Sequence, residues 1–201
     1  MKETFIDYVR TGMTGRGFLL IACGLPGTLK TETTAEVARI TGYPLLRTDL
    51  IRLEVLQNED VFAKHVASSM EKRLLIYEET FRRADESLES SEGVILDATF
   101  ITQELRRNAA AIAAKNELWF VILQTDCPEE TSLARILKRT KENYESNALT
   151  EQAYLNNKKN FEKVDVAELK SLYPNICITH LTIDTTSEKP EDWSITALET
   201  R

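Results

Sequence analysis

Gly24-Leu25-Pro26-Gly27-Thr28-Leu29-Lys30-Thr31 stands between an apolar run and a stretch of helical character. Small and glycine residues at such a joint let successive backbone N–H groups turn inward, where they suit phosphate oxygens. The helix that follows adds the positive end of its dipole. A lysine at the helix start then reaches the β- and γ-phosphates of a nucleotide, and the neighbouring hydroxyl holds magnesium. The octet meets the pattern G-x-x-x-x-G-K-[ST] except at Leu29, where glycine is expected. Were that position left-handed, a leucine there would cost roughly 1–2 kcal/mol. The plainer reading is a strand-turn-helix joint whose Gly and Pro only make the turn.

Two carboxylates and several arginines follow where such a site needs them. Asp49, in Leu46-Arg47-Thr48-Asp49, ends a short strand-like run and opens a helical stretch. An acid at the C-terminal end of a strand faces the crevice where α/β proteins bind ligands, and there it takes a proton from an attacking hydroxyl. The plainer role is a helix N-cap, and one aspartate can fill both. Arg52, one turn on, shares the face of Asp49 and is placed to hold an anionic part of an acceptor. Asp97 closes the apolar run Val94-Ile95-Leu96 and supplies the second acid, for the magnesium shell or for the acceptor. Arg106 and Arg107 come a helix turn or two later and are candidates to meet the acceptor, although most helix arginines are solvated surface.

Arg135 and Arg139 lie in a charged stretch without strand character. Phosphoryl transfer spreads charge over equatorial oxygens, and a guanidinium carried by a closing segment stabilises it. The bland alternative is a solvated helix face. Asp184-Thr185-Thr186, after the last apolar run, is a candidate border for adenine, and His65 and His180 lack partners at ligand or triad spacing and read as structural.

Positioning these groups falls to short apolar runs at Phe18–Cys23, Pro44–Leu46, Val94–Leu96, Leu118–Leu123 and Ile176–Ile183, with helical periodicity between them. Near-continuous apolar strands such as FLLIAC and LWFVIL predict a parallel sheet covered on both faces, wound by right-handed crossovers into a doubly wound α/β layer. Val61 to Glu89 reads as a long helix over the sheet's edge. The stretch from Arg135 to Asn147 interrupts the pattern, and a helix is predicted to begin near Thr150.

A length of 201 residues suits one domain, and 42% hydrophobic with 28% charged residues suits a soluble globular one. With 25 Lys and Arg against 32 Asp and Glu the net charge is -7, so the surface as a whole is no trap for nucleic acid. Cys23, Cys127 and Cys177 are odd in number and widely spaced, which points to free thiols in a reducing compartment, hence the cytoplasm. No 18-residue apolar stretch and no signal-peptide pattern occurs, so membrane partners are not expected.

Taken together, GLPGTLKT, TDLIR, VILDATF with ELRR, and LQTDCPEE with Arg135 and Arg139 behind it resemble the AAA-33 family of P-loop kinases. That family includes proteins similar to the kinase domain of phage polynucleotide kinase, with zeta toxins and gluconate kinase more distant. The likeness runs from about Gly17 to about Phe161. It implies five parallel strands in the order 2-3-1-4-5, an ATP-magnesium site at the loop, an acceptor-side helical region near 57–91 and a lid near 135–150. Gly24, Gly27, Thr28, Leu29, Lys30, Thr31 and Arg135 would hold the nucleotide, and Thr31 with Asp97 the metal. Asp49 resembles the general base of the polynucleotide kinases, and Arg52 the arginine three residues after it that contacts a substrate phosphate. Arg139, and with it Arg135, resembles the lid arginines that brace the transferring phosphoryl group.

The expected activity is transfer of the γ-phosphoryl group from ATP to a hydroxyl on a small metabolite, a nucleotide or a nucleic-acid 5′ end. Two alternatives stand beside it: a nucleotide-binding regulatory module whose catalysis Leu29 has weakened, and a simple NTPase switch, which Asp49-x-x-Arg52 disfavours.

Overall fold

Phe18–Cys23, wholly apolar, forms β1 and is buried along its entire length. Such a strand belongs at the centre of a sheet covered on both faces. The computed structural model describes residues 4–201 except 58, 62, 64, 65, 67, 68 and 139–149. Its other strands are β2 (Leu45–Arg47), β3 (Val94–Asp97), β4 (Trp119–Asp126), β5 (Ile178–Asp184) and β6 (Ser194–Thr200), in the order β2-β3-β1-β4-β5-β6. The first five are mutually parallel in the expected order 2-3-1-4-5, which lays the C-terminal ends of β1, β2 and β3 side by side.

Successive residues of β1 point to opposite faces. Leu19, Ile21 and Cys23 join Leu96, Ala109, Ala113 and Ile122 in one core cluster, whereas Phe18 and Leu20 join Ile95, Val121, Val37 and Trp193 in the other. The covering helices are α2 (Lys30–Thr41), α3 (Thr48–Val55), α4 (Met70–Ser87), α5 (Gln103–Lys115), α6 (Glu129–Leu137), α7 (Glu151–Asn160) and α8 (Val166–Leu172), preceded by α1 (Phe5–Tyr8), which runs into a π-helical turn at Val9–Met13. The three cysteines are free. No helix among the described residues is long and apolar enough to cross a membrane.

Three features depart from the expectations. A sixth strand, β6, pairs antiparallel with β5; its sequence SITALET is too polar to stand out as an apolar run. The helix expected from Val61 begins at Met70, where Ser69 caps it by accepting from the Lys72 amide. Val61 and Val66 instead bury their side chains beside Ile51, Leu56 and Ile76 in a small cluster between α3 and α4. The polar-looking start of the chain is helical and anchors Phe5, Ile6, Val9 and Met13 in the core. Thr150 does open α7, accepting from the Ala153 amide at 3.2 Å. Of the expected lid, 135–138 close α6 and Thr150 caps α7, while 139–149, and with them Arg139, lie outside the described residues.

Candidate active site

The turn from β1 into α2 is shaped by close packing. A Cβ on Gly24 (φ +136°) would stand 2.6 Å from the Thr125 carbonyl oxygen, and one on Gly27 (φ +83°) 2.5 Å from that of Ser132. Glycine is therefore required at both positions by backbone conformation and by space. Leu29 is left-handed as well, with φ 58° and ψ 35°, so the chain follows the path that the glycine pattern calls for despite the Cβ. The strain costs roughly 1–2 kcal/mol. The leucine side chain is half-buried and packs against the cluster of Phe18, Leu20 and Val37, which offsets part of that cost.

None of the backbone amides of Gly27, Leu29 and Thr31 meets an acceptor among the described residues. A row of such donors at the N-terminal end of a 12-residue helix is a ready anion cradle. Lys30 Nζ reaches back to donate to the Leu25 carbonyl at 2.7 Å, which puts its charge at the loop. Thr28 closes the turn at Pro26-Gly27. Its hydroxyl is spent inside the protein, donating to the Leu25 carbonyl at 2.8 Å and meeting Thr125 Oγ1 at 2.6 Å.

Thr31 Oγ1 donates to Asp97 Oδ2 at 2.7 Å, joining the head of α2 to the tip of β3. Asp97 is 7% exposed, and burial pushes its carboxyl up from 3.8 to about 6; Asp49 adds to the rise, while Thr31, Lys30 and Arg47 oppose it. Thr48 Oγ1 donates to the Asp97 carbonyl at 3.1 Å, and Arg47 Nε lies 3.6 Å from Asp97 Oδ2. Hydroxyl and carboxylate together fit magnesium, which takes few protein ligands and completes its octahedron with phosphate oxygens and water. No cage of three or more His, Cys, Asp or Glu occurs among the described residues.

Asp49 sits in the first turn of α3, and its charge is felt by both Asp97 and Tyr77. Tyr77 is buried on α4, and its hydroxyl accepts from the Phe100 amide at 3.2 Å. Phe100 takes φ 38°, an unfavourable backbone for a bulky residue, three positions beyond Asp97. Arg52 is half-buried, with Nε enclosed and without a hydrogen-bond partner among the described residues.

Loop, Thr31, Asp97 and Asp49 are thus brought near one another, while two arginines are placed otherwise than expected. Arg106, expected at the acceptor, is 0% exposed: Nη2 donates to the Glu162 carbonyl at 2.9 Å and to Ile101 at 3.4 Å, and the guanidinium lies over the Phe161 ring. It ties Ile101 and Glu162 together inside the protein and presents no surface to an acceptor. Arg135 is not a free lid guanidinium. It donates to the carbonyls of Gly27 (3.2 Å), Thr185 (3.0 Å) and Thr186 (3.0 Å), and so braces the loop from behind. Thr185 reinforces the brace by donating to the Thr28 carbonyl at 2.9 Å. His180 pairs with Gln124 across β4 and β5, in keeping with a structural role. Arg47, Thr48 and Tyr77 were not singled out in the sequence; for the first two, position at a strand end beside Asp49 is the available signal.

No curated protein matches the sequence. Among solved structures, the chain is similar to a gluconokinase from Sinorhizobium meliloti 1021, with a TM-score of 0.57 and 15% identity over 85% of this chain and 84% of that one. It is also similar to a sugar kinase from Janibacter sp. HTCC2649, with a TM-score of 0.60 and 17% identity over 88% of each chain. At such identities the likeness is one of fold. A family model does match, that of AAA_33, described as an AAA domain, over residues 19–164. The match spans the loop, both acids and Arg135, and the chain belongs to the AAA_33 family.

Proposed function

We propose that the protein is an ATP-dependent phosphotransferase that moves the γ-phosphoryl group to an acceptor hydroxyl. The observation that carries this reading is the Thr31–Asp97 hydrogen bond at the mouth of the amide cradle, with Asp49 close enough to raise the Asp97 carboxyl. Amides of the loop and the Lys30 ammonium bind and orient the triphosphate. Thr31 and Asp97 would hold magnesium, which when bound neutralises charge developing on the transferring group. The Asp49 carboxylate takes the proton of the acceptor hydroxyl as its oxygen attacks the γ-phosphorus, the bond from that phosphorus to the β,γ-bridging oxygen breaks to release ADP, and Arg52 holds an anionic part of the acceptor.

The acidic balance of the chain favours a small acceptor such as a sugar-like metabolite or a nucleotide over a nucleic-acid 5′ end, and the free thiols suit the cytoplasm. A second reading, a nucleotide-binding regulatory module with damped catalysis, draws on the strained Leu29. Against it, the loop keeps the left-handed path, and the acids keep their places.

The test is transfer of labelled γ-phosphate from ATP to a panel of sugar acids, sugars, nucleotides and 5′-hydroxyl oligonucleotides. Label should appear on one acceptor class and vanish with Lys30→Ala. Thermal stabilisation by ATP-magnesium that is equal in wild type and Lys30→Ala would refute the site itself.

A further inference from the structure

Arg47 is the last residue of β2 and stands directly opposite Asp97 in the parallel register of β2 and β3. Its Nε approaches the Asp97 oxygen that already takes the Thr31 proton, but at 3.6 Å it forms no hydrogen bond. Nε is enclosed and has no other partner among the described residues, and the side chain is 25% exposed. A guanidinium that served only to pair with this carboxylate would close a planar two-point fork with it. Arg47 instead stands off, held by strand register as a fixed positive charge beside the carboxylate assigned to a divalent cation.

Resting on the reading of Thr31 and Asp97 as the metal-nucleotide site, we propose that Arg47 is a positioning residue that sets the metal affinity of that site. Its charge opposes entry of the divalent cation and favours the triphosphate. The two effects have opposite signs, because a fixed cation repels a metal and attracts a polyanion through the same Coulomb field. Arg47 thereby biases the site toward metal that arrives already bound to nucleotide, since free metal alone meets its repulsion.

The experiment is a titration of Mn2+ followed by the electron paramagnetic resonance of the free aquo ion, with and without a non-hydrolysable ATP analogue. A parallel measurement gives affinity for the analogue in chelator. Arg47→Met keeps the length of the stem and removes the charge. It is expected to bind Mn2+ roughly three- to tenfold more tightly while binding the metal-free analogue no better or more weakly, by loss of one nearby positive charge. Arg47→Lys should stay within about twofold of wild type in both, since the charge remains. Arg47→Gln serves for the same comparison should the methionine variant not fold.

General loosening of the site would weaken both affinities together. Unchanged or weaker Mn2+ binding in both neutral variants overturns the assignment of Arg47 alone. Wild type that binds neither Mn2+ nor the analogue overturns the metal-nucleotide site, and the assignment with it.

Discussion

Thr31 and Asp97, 66 positions apart in the chain, share a 2.7 Å hydrogen bond from hydroxyl to carboxylate. One residue opens the helix after the phosphate loop and the other ends a neighbouring strand, so the bond fixes the loop against the sheet. The Thr31 proton is committed to Asp97, which leaves the oxygen lone pairs of the hydroxyl available to a cation.

Burial raises the Asp97 carboxyl from 3.8 to about 6, so the folded protein holds this proton more tightly than the unfolded chain does. Stability from this group is therefore greatest below about pH 4 and is lost as pH rises through about 6. The shift corresponds to about 3 kcal/mol as an upper bound. In nucleotide-free protein, melting temperature should fall between pH 5 and 7.5, and Asp97→Asn should flatten that fall. A slope that Asp97→Asn leaves intact would show that other groups govern it.

Asp49→Asn is expected to reduce turnover by at least about 100-fold, the usual scale for removing a general base, with ATP affinity nearly unchanged. Single-turnover transfer and equilibrium binding on the same variant separate the two quantities. A collapse of ATP affinity would place Asp49 on the nucleotide side.

At Leu29, glycine would relieve roughly 1–2 kcal/mol of left-handed strain and forfeit part of the roughly 1–3 kcal/mol of apolar burial. The terms nearly cancel, so Leu29→Gly should shift melting by only a few degrees. Because the loop already follows the required path, ATP affinity should stay within about twofold. A large gain in affinity or rate would favour the damped-catalysis reading instead.

Arg135→Ala releases the carbonyls of Gly27, Thr185 and Thr186 together. Hydrogen bonds from a charged donor contribute about 1.5–3 kcal/mol each and not additively, so a loss of roughly 2–4 kcal/mol in stability is expected. ATP binding should weaken with it. Arg135→Lys should recover little, since one ammonium cannot span three carbonyls on two segments. Thermal melts and ATP titrations of both variants check this, and full recovery by lysine would deny the brace.

Strand runs bounded by breakers, together with the loop pattern, make the five parallel strands, the turn after β1 and the positions of both acids legible in the sequence alone. What stayed hidden depends on contacts distant in sequence. The Arg106 guanidinium is held inside by the carbonyls of Ile101 and Glu162, and the Arg135 brace needs the turn after β5 to lie beside Gly27. A local reading sees only an arginine on a helix in each case. Strand β6 escaped because five of its seven residues are exposed, and the N-terminal helix because its apolar residues are spaced among polar ones.

β6 also bears on self-association. Without it, the seven residues of β5 would present a long edge of unpaired amides and carbonyls, a template for another chain. β6 covers that edge with an antiparallel strand that carries Glu199 and opens with a bridge from Ser194 to Thr4, and the pairing shifts register between Thr182 and Ile183. The opposite edge, β2, has only three residues. One rim is thus short and the other irregular and charged, so the sheet resists stacking edge to edge with its own copies.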